Sequence, residues 1–167
     1  DPNLIYPIGG GLYVHILPDK EDSRDHYIAI EPGMLLPAEN LMEEVEDLLV
    51  DHVEELDDMG QEQLSRAKTL RRILANSVTV VKPKALKQAQ KKAGNKAGSK
   101  LPVTRSQLTA LQYFLVRDKE GLGVLEPLIQ DPHIEDISCS GVGPLFLEHK
   151  IFKGLKASIN FDSIDEL

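Results

Sequence analysis

The chain has 167 residues, of which 41% are hydrophobic and 28% charged, a globular composition with room for one domain or two small ones. No apolar run approaches the ~20 residues of a membrane-spanning helix, and Cys139, the single cysteine, excludes an internal disulfide and suits a reducing, cytoplasmic setting. The net charge of -8 argues against wholesale nucleic-acid binding, although the distribution of charge says more than its sum.

The start Asp1-Pro2-Asn3 has neither the basic opening nor the apolar run of a secretory signal. Leu12–Leu17 and His26–Glu31 are rich in β-branched and aromatic residues, and the polar stretch from Pro18 to Asp25 separates them. They predict a β-hairpin within a β-rich segment, 1–36. Gly9-Gly10-Gly11 precedes a strand, and no Lys-Ser or Lys-Thr pair follows to open a helix. Flexible punctuation is therefore expected there, not a phosphate cradle.

Residues 37–100 read as a helical subdomain. Pro37 fits a first turn, and Leu41, Val45, Leu48, Leu49, His52, Leu56 and Met59 recur at helical spacing up to Gly60. Residues 39–62 hold eleven carboxylates and no Lys or Arg. Without clustered histidines or a glycine-containing calcium loop, these acids read as a solvated face rather than a metal site. A second helix follows with Leu64, Ala67, Leu70 or Arg71, and Leu74 on one side, and it carries Arg66, Lys68, Arg71 and Arg72. The two predict an antiparallel pair. Lys82–Lys100 then holds seven lysines, no acid, and Leu86 as its one large apolar residue. Such a segment cannot bury enough area to offset its ordering entropy, so a mobile helix or loop is expected. It could meet an anionic lipid or nucleic acid, pair with the acidic helix, or serve as a solvated linker. On the last two readings, removing 84–100 leaves the stability of the part that follows nearly unchanged.

Residues 101–167 predict a small α+β domain with an antiparallel sheet. Thr104 and Gln107 form a capping box for a helix with an apolar stripe of Leu108, Leu111, Phe114 and Leu115, stopped by Gly121. A short helical turn, 125–130, closes at Pro132. Strands 134–139 and 145–149 flank a turn in which Gly141 and Gly143 serve backbone geometry, a third strand covers 155–159, and Asp162 would cap a final helix. The predicted fold class is α+β throughout. In strand 134–139, period-two alternation places Ile137 and Cys139 inward with Glu135 at the rim, and Ile134, Asp136 and Ser138 on the other face.

The run Tyr113–Gly123, followed by Leu128-Ile129-Gln130-Asp131-Pro132-His133-Ile134-Glu135-Asp136-Ile137-Ser138-Cys139-Ser140-Gly141 and by Pro144–Lys150, closely resembles the region just before the ATPase core of archaeal type II and type IV secretion, pilus and archaellum motor ATPases. This is the general secretion pathway protein E-like superfamily. Tyr6-Pro7, Tyr13–Ile16 and Tyr27–Pro32 are similar to the upstream segment of its archaeal members, and the likeness is weakest across 37–100. The resemblance implies a chain cut before the P-loop core of a hexameric ring ATPase. Its partners would be further copies of itself and a polytopic inner-membrane platform protein. It also implies a cytoplasmic, peripherally membrane-associated machine, with ATP and Mg²⁺ held by the absent core. The pattern G-x-x-x-x-G-K-[ST] does not occur, so no catalytic residue and no bound cofactor is assigned to this chain.

Asp131, Pro132, Ile134, Glu135, Asp136, Ile137, Gly141 and His149 carry the family string. Among them Asp136, between apolar neighbours, is the candidate either for nucleotide contact or for a structural hydrogen bond to the 140–144 turn. His133 and His149 lack a third ligand and read as structural rather than as a metal pair. Cys139 reads as a buried small side chain. Two other classes compete with the motor reading, a nucleic-acid-binding module and a membrane-surface adaptor, both using the lysine segment. The former lacks nearby aromatic stacking platforms.

Overall fold

The computed structural model describes residues 3–33, 39–50, 63–93 and 99–166. The chain is an α+β protein and divides into two compact units. One is a sheet unit made of 1–31 and 124–167, the other a helical unit made of 32–123. This replaces the partition at 36 and 100. The strands of 1–31 share a sheet with those of 134–161, and 101–123 packs with the helices before it.

The sheet unit holds six strands in the order β1-β2-β3-β8-β7-β6. They are β1 (Leu4–Gly9), β2 (Leu12–Leu17), β3 (His26–Ile30), β6 (Ile134–Ser138), β7 (Gly143–His149) and β8 (Lys153–Phe161). The predicted hairpin is β2 and β3, paired from Tyr13 with Ile30 to Leu17 with His26. Strand β1 was not anticipated. Gly10 and Gly11 have φ of +61° and +87°, and positive φ at both central positions is what a two-residue type I′ hairpin turn requires. The glycines thus fold β1 back onto β2. Strands β3 and β8 pair in parallel through His26 with Lys156 and Tyr27 with Ala157, a contact between residues some 130 positions apart. Leu12, Val14 and Ile16 of β2 point inward with Tyr27 and Ala29 of β3, and Leu145, Leu147, Leu155, Ala157 and Phe161 complete the buried layer with Leu128.

Two expectations for β6 are corrected. Its register shifts between Ile134 and Asp136, and an irregularity of this kind breaks strict alternation. Ile134 and Ile137, three apart, therefore both pack on the core. Cys139 lies beyond the strand and is exposed, with its thiol 3.5 Å from the Gly141 carbonyl.

The helical unit contains α1 (Glu39–Val50), α2 (Gln63–Ser77), α3 (Leu86–Ala93) and α4 (Arg105–Lys119). Its core joins Leu41, Val45 and Leu49 of α1 to Leu70, Ile73 and Leu74 of α2 and Leu108, Leu111 and Leu115 of α4. The capping box forms, with the Gln107 N–H donating to Thr104 Oγ1 at 3.2 Å and the Thr104 N–H to Gln107 Oε1 at 2.8 Å. Expectations for Pro37, His52, Leu56, Met59 and Gly60 fall outside the described residues. The acidic helix meets a cation of α4, since Lys119 Nζ donates to Glu46 Oε1 at 2.8 Å, while Arg66 of α2 reaches Glu120 at 2.8 Å.

The lysine segment is a crossover. Strands β4 (Val78–Val80) and β5 (Leu101–Val103) run parallel, and α3 lies between them in sequence without a buried residue of its own. The strand that follows the segment is anchored, since Val103 is fully buried. Asp162 precedes a single 3-10 turn, Ile164–Glu166.

Candidate functional site

Asp131 ends the short helix α5 (Glu126–Gln130) and is 3% exposed. Pro132 follows it and keeps the chain extended at this point. The carboxylate turns back on its own backbone, its Oδ1 accepting the His133 N–H at 2.9 Å, which is the local habit of Asp at a turn. That leaves Oδ2 aimed at the sheet, where two phenols donate to it, Tyr6 of β1 at 2.6 Å and Tyr27 of β3 at 2.9 Å.

His149, at the end of β7, is 1% exposed. Its Nδ1 accepts the backbone N–H groups of Ile151 and Phe152 at 3.1 and 3.2 Å, so the proton of the neutral ring belongs on Nε2. Nε2 lies 3.1 Å from Tyr6 Oη. The geometry therefore runs one way, from His149 N–H to the Tyr6 oxygen, from the Tyr6 hydroxyl to Asp131, with Tyr27 entering from the other side. The rings close around it. Tyr6 meets His133 edge-on at 5.6 Å between centroids, and His149 lies 5.0 Å from Phe152.

Burial, reinforced by Asp131, pushes both phenols far above their ordinary range, so both stay protonated and donate. No described buried side-chain nitrogen or oxygen lacks a partner. With every proton committed internally, the hub positions rather than reacts. It ties β1, β3, the 131–133 turn and β7 into one body.

Burial also lowers the pKa of His149, with His133 and Lys150 acting in the same sense and Asp131 and Glu135 opposing. A folded-state pKa below the unfolded value of about 6.5 means that the unfolded chain binds more protons just below that pH. Stability is therefore expected to hold above about pH 6.5 and to fall as pH drops below it, by at most ~1.4 kcal/mol per pH unit from this group. Urea midpoints between pH 7.5 and 5.5 measure it. The drop should shrink in His149→Gln, and an unchanged slope would refute the assignment.

The residues singled out in the 131–149 stretch part company here. Asp131 and His149 join the hub, and the Pro132 carbonyl accepts Lys150 Nζ. Ile134 and Ile137 line the core, Gly141 has a φ of +113° in its turn, and Glu135 is exposed. Asp136 is exposed too, and its partner is Ser138 Oγ at 3.3 Å, not the 140–144 turn. Sequence reasoning missed Tyr6 and Tyr27. The available signal was a tyrosine at an inward strand position, whose hydroxyl must find a partner when buried.

Among the described residues no three His, Cys, Asp or Glu side chains are placed to hold a metal, and no helix is long and apolar enough to cross a membrane. Two open grooves lie on the helical unit. One of about 510 Å³ is lined by Glu44, Asp47, Leu48, Gln90, Ala93 and Leu101, among others. The other, of about 230 Å³, is lined by Leu49, Val50, Leu70 and the charges of Glu46, Arg66, Lys119 and Glu120.

Fold and site together define an α+β chain with a saturated tyrosine–aspartate–histidine hub in its sheet unit. No family model matches the chain. Two curated relatives come from the archaeon Methanocaldococcus jannaschii. The chain is 28% identical to uncharacterized protein MJ0900 over 99% of its own length and 30% of that protein's. It is 41% identical to uncharacterized protein MJ1288 over 39% of its length and 25% of that protein's. The chain thus spans less than a third of either relative.

Proposed function

We propose that this chain is the amino-terminal regulatory and oligomerising region of an archaeal secretion or pilus-assembly motor ATPase. It would act beside a core that holds ATP and Mg²⁺, in a hexameric ring seated on a polytopic membrane platform. One observation carries the reading. Two of the three segments bearing the resemblance, at 6–31 and 128–150, lie at opposite ends of the chain yet fold into one sheet unit closed by Asp131, while the third, 113–123, belongs to the helical unit. The stretch where the resemblance is weakest, 37–100, belongs to the other unit. The hub residues Tyr6, Tyr27, Asp131 and His149 all lie in segments that carry the resemblance, which supports the reading. The relative MJ0900, of which the aligned stretch is 30%, is compatible with the reading as well.

Among the described residues the glycine run does not build a phosphate cradle. Gly9-Gly10-Gly11 turns between antiparallel strands and opens no helix whose N–H groups could hold phosphate. The chain's part is positional, a rigid sheet unit that can move as one body against a core, and no hydrolytic step is assigned to it.

The 167-residue chain is expected to release no phosphate from Mg·ATP above background. The protein extended by the ~150 residues that follow in its native reading frame should hydrolyse it through a P-loop. An extension without a P-loop sequence, or activity that follows the short chain through purification, would sink the reading.

A further inference from the structure

Charge in the helical unit is segregated. Residues 39–62 carry eleven carboxylates and no Lys or Arg, whereas 63–117 carry thirteen Lys or Arg and no carboxylate. Among the described residues, the charges of α1 and α3 lie on separate exposed faces. Helix α3 half-buries Leu86, Ala89 and Ala93 and turns Gln90 and Ala93 to the groove shared with Glu44 and Asp47 of α1. Its neutral side thus faces the chain's own acids. Lys84, Lys87, Lys91 and Lys92 are exposed, and no ion pair joins them to a described residue. On α1, Glu43, Glu44 and Asp47 are likewise exposed, while Glu46 is held by Lys119.

We infer that the lysine face of α3 in one copy docks on the acidic face of α1 in the next. The faces match in spacing, because Glu43 and Asp47 sit one helical turn apart, as do Lys87 and Lys91, which is about 6 Å in each case. The contact is heterologous, joining different patches of identical chains, and such contacts build rings or filaments. A second copy fits better than a lipid or nucleic-acid surface. An anionic surface attracts the lysines but repels the eleven carboxylates of the same unit, and the whole chain carries -8. Exposed pairs hold weakly and are screened by salt, so association should be modest and confined to low ionic strength. The inference rests on charge placement alone and does not require the motor reading.

The test is sedimentation of the 167-residue chain at about 20 mM and about 1 M salt, where the screening length falls to roughly 3 Å. The weight-average mass should reach at least that of a dimer at low salt and return to the monomer at high salt. The triple variant Lys87→Glu, Lys91→Glu, Lys92→Glu should stay monomeric, and so should Glu43→Lys, Glu44→Lys, Asp47→Lys. Circular dichroism checks that each is folded. An equimolar mixture of the two should associate again, because both contacts then pair opposite charges. A wild type monomeric at low salt, association that survives in either variant, or a mixture that stays monomeric overturns the inference. So does a wild-type monomer that binds anionic vesicles or single-stranded DNA through these lysines.

Discussion

Asp131→Ala should unfold the sheet unit or leave it about 3–5 kcal/mol less stable, a large part of the stability of a typical domain. The substitution removes the single acceptor of three donors, the Tyr6 and Tyr27 hydroxyls and the His133 N–H. The buried Tyr27 hydroxyl and the half-buried Tyr6 hydroxyl and His133 N–H then lose that partner, and the desolvation cost exceeds what the bonds contribute net while intact. Asp131→Asn is the sharper probe. The amide keeps the shape, but one end now donates. Facing the phenols, the NH₂ meets two hydroxyls that had been donating; facing His133, it meets an N–H. Either orientation sets donor against donor, so Asn should recover only part of the loss. Tyr6→Phe should cost less, about 1–3 kcal/mol, because the carboxylate keeps Tyr27 and the backbone donor and the His149 Nε2–H alone loses its acceptor. Urea denaturation followed by tyrosine fluorescence reads all three. An Asp131→Ala midpoint close to wild type would show that the hub contributes nothing.

Replacing 84–100 by a short Gly/Ser bridge should abolish cooperative melting of the helical unit. This reverses the expectation that the segment is dispensable. Parallel strands cannot be joined by a tight turn and need a crossover of about a dozen residues. With a bridge of a few residues β5 cannot lie beside β4, and Val103, fully buried at the root of α4, is pulled from the core. A length-matched Gly/Ser linker tests the cause. It preserves the crossover and removes only side chains that bury little, so its cost should be small, within about 2 kcal/mol for lost helix propensity and partial burial. Thermal melts by circular dichroism separate the two. If both variants melt like wild type, the β4–β5 pair carries no weight. If both collapse, the lysine helix packs more firmly than its exposure suggests.

Local chemistry spoke clearly in this sequence. The capping box at Thr104 and Gln107, the β2–β3 hairpin, the 134–149 hairpin with its glycine turn, and the apolar stripe of Leu108, Leu111 and Leu115 all follow from neighbours within a few residues. So does the solvated state of the lysine segment, whose composition lacks apolar area to bury. The hub was legible only in halves. Asp131 and His149 belong to the stretch that carries the resemblance, whereas the apolar neighbours of Asp136 in a strand suggest burial for that residue instead. The shifted register of β6 defeated that reading, as it did the alternation that separated Ile134 from Ile137.

What the sequence by itself determined is therefore the set of elements, their caps and turns, and the segregation of charge along the chain, all products of short-range sterics and periodicity. Tertiary structure alone decided which elements share a sheet, that β3 runs parallel to β8, and that Tyr6 and Tyr27 reach Asp131 across 125 and 104 residues. Those outcomes depend on burying two apolar layers at once while leaving no polar group unpaired. That condition couples distant residues through space, and no local pattern records it.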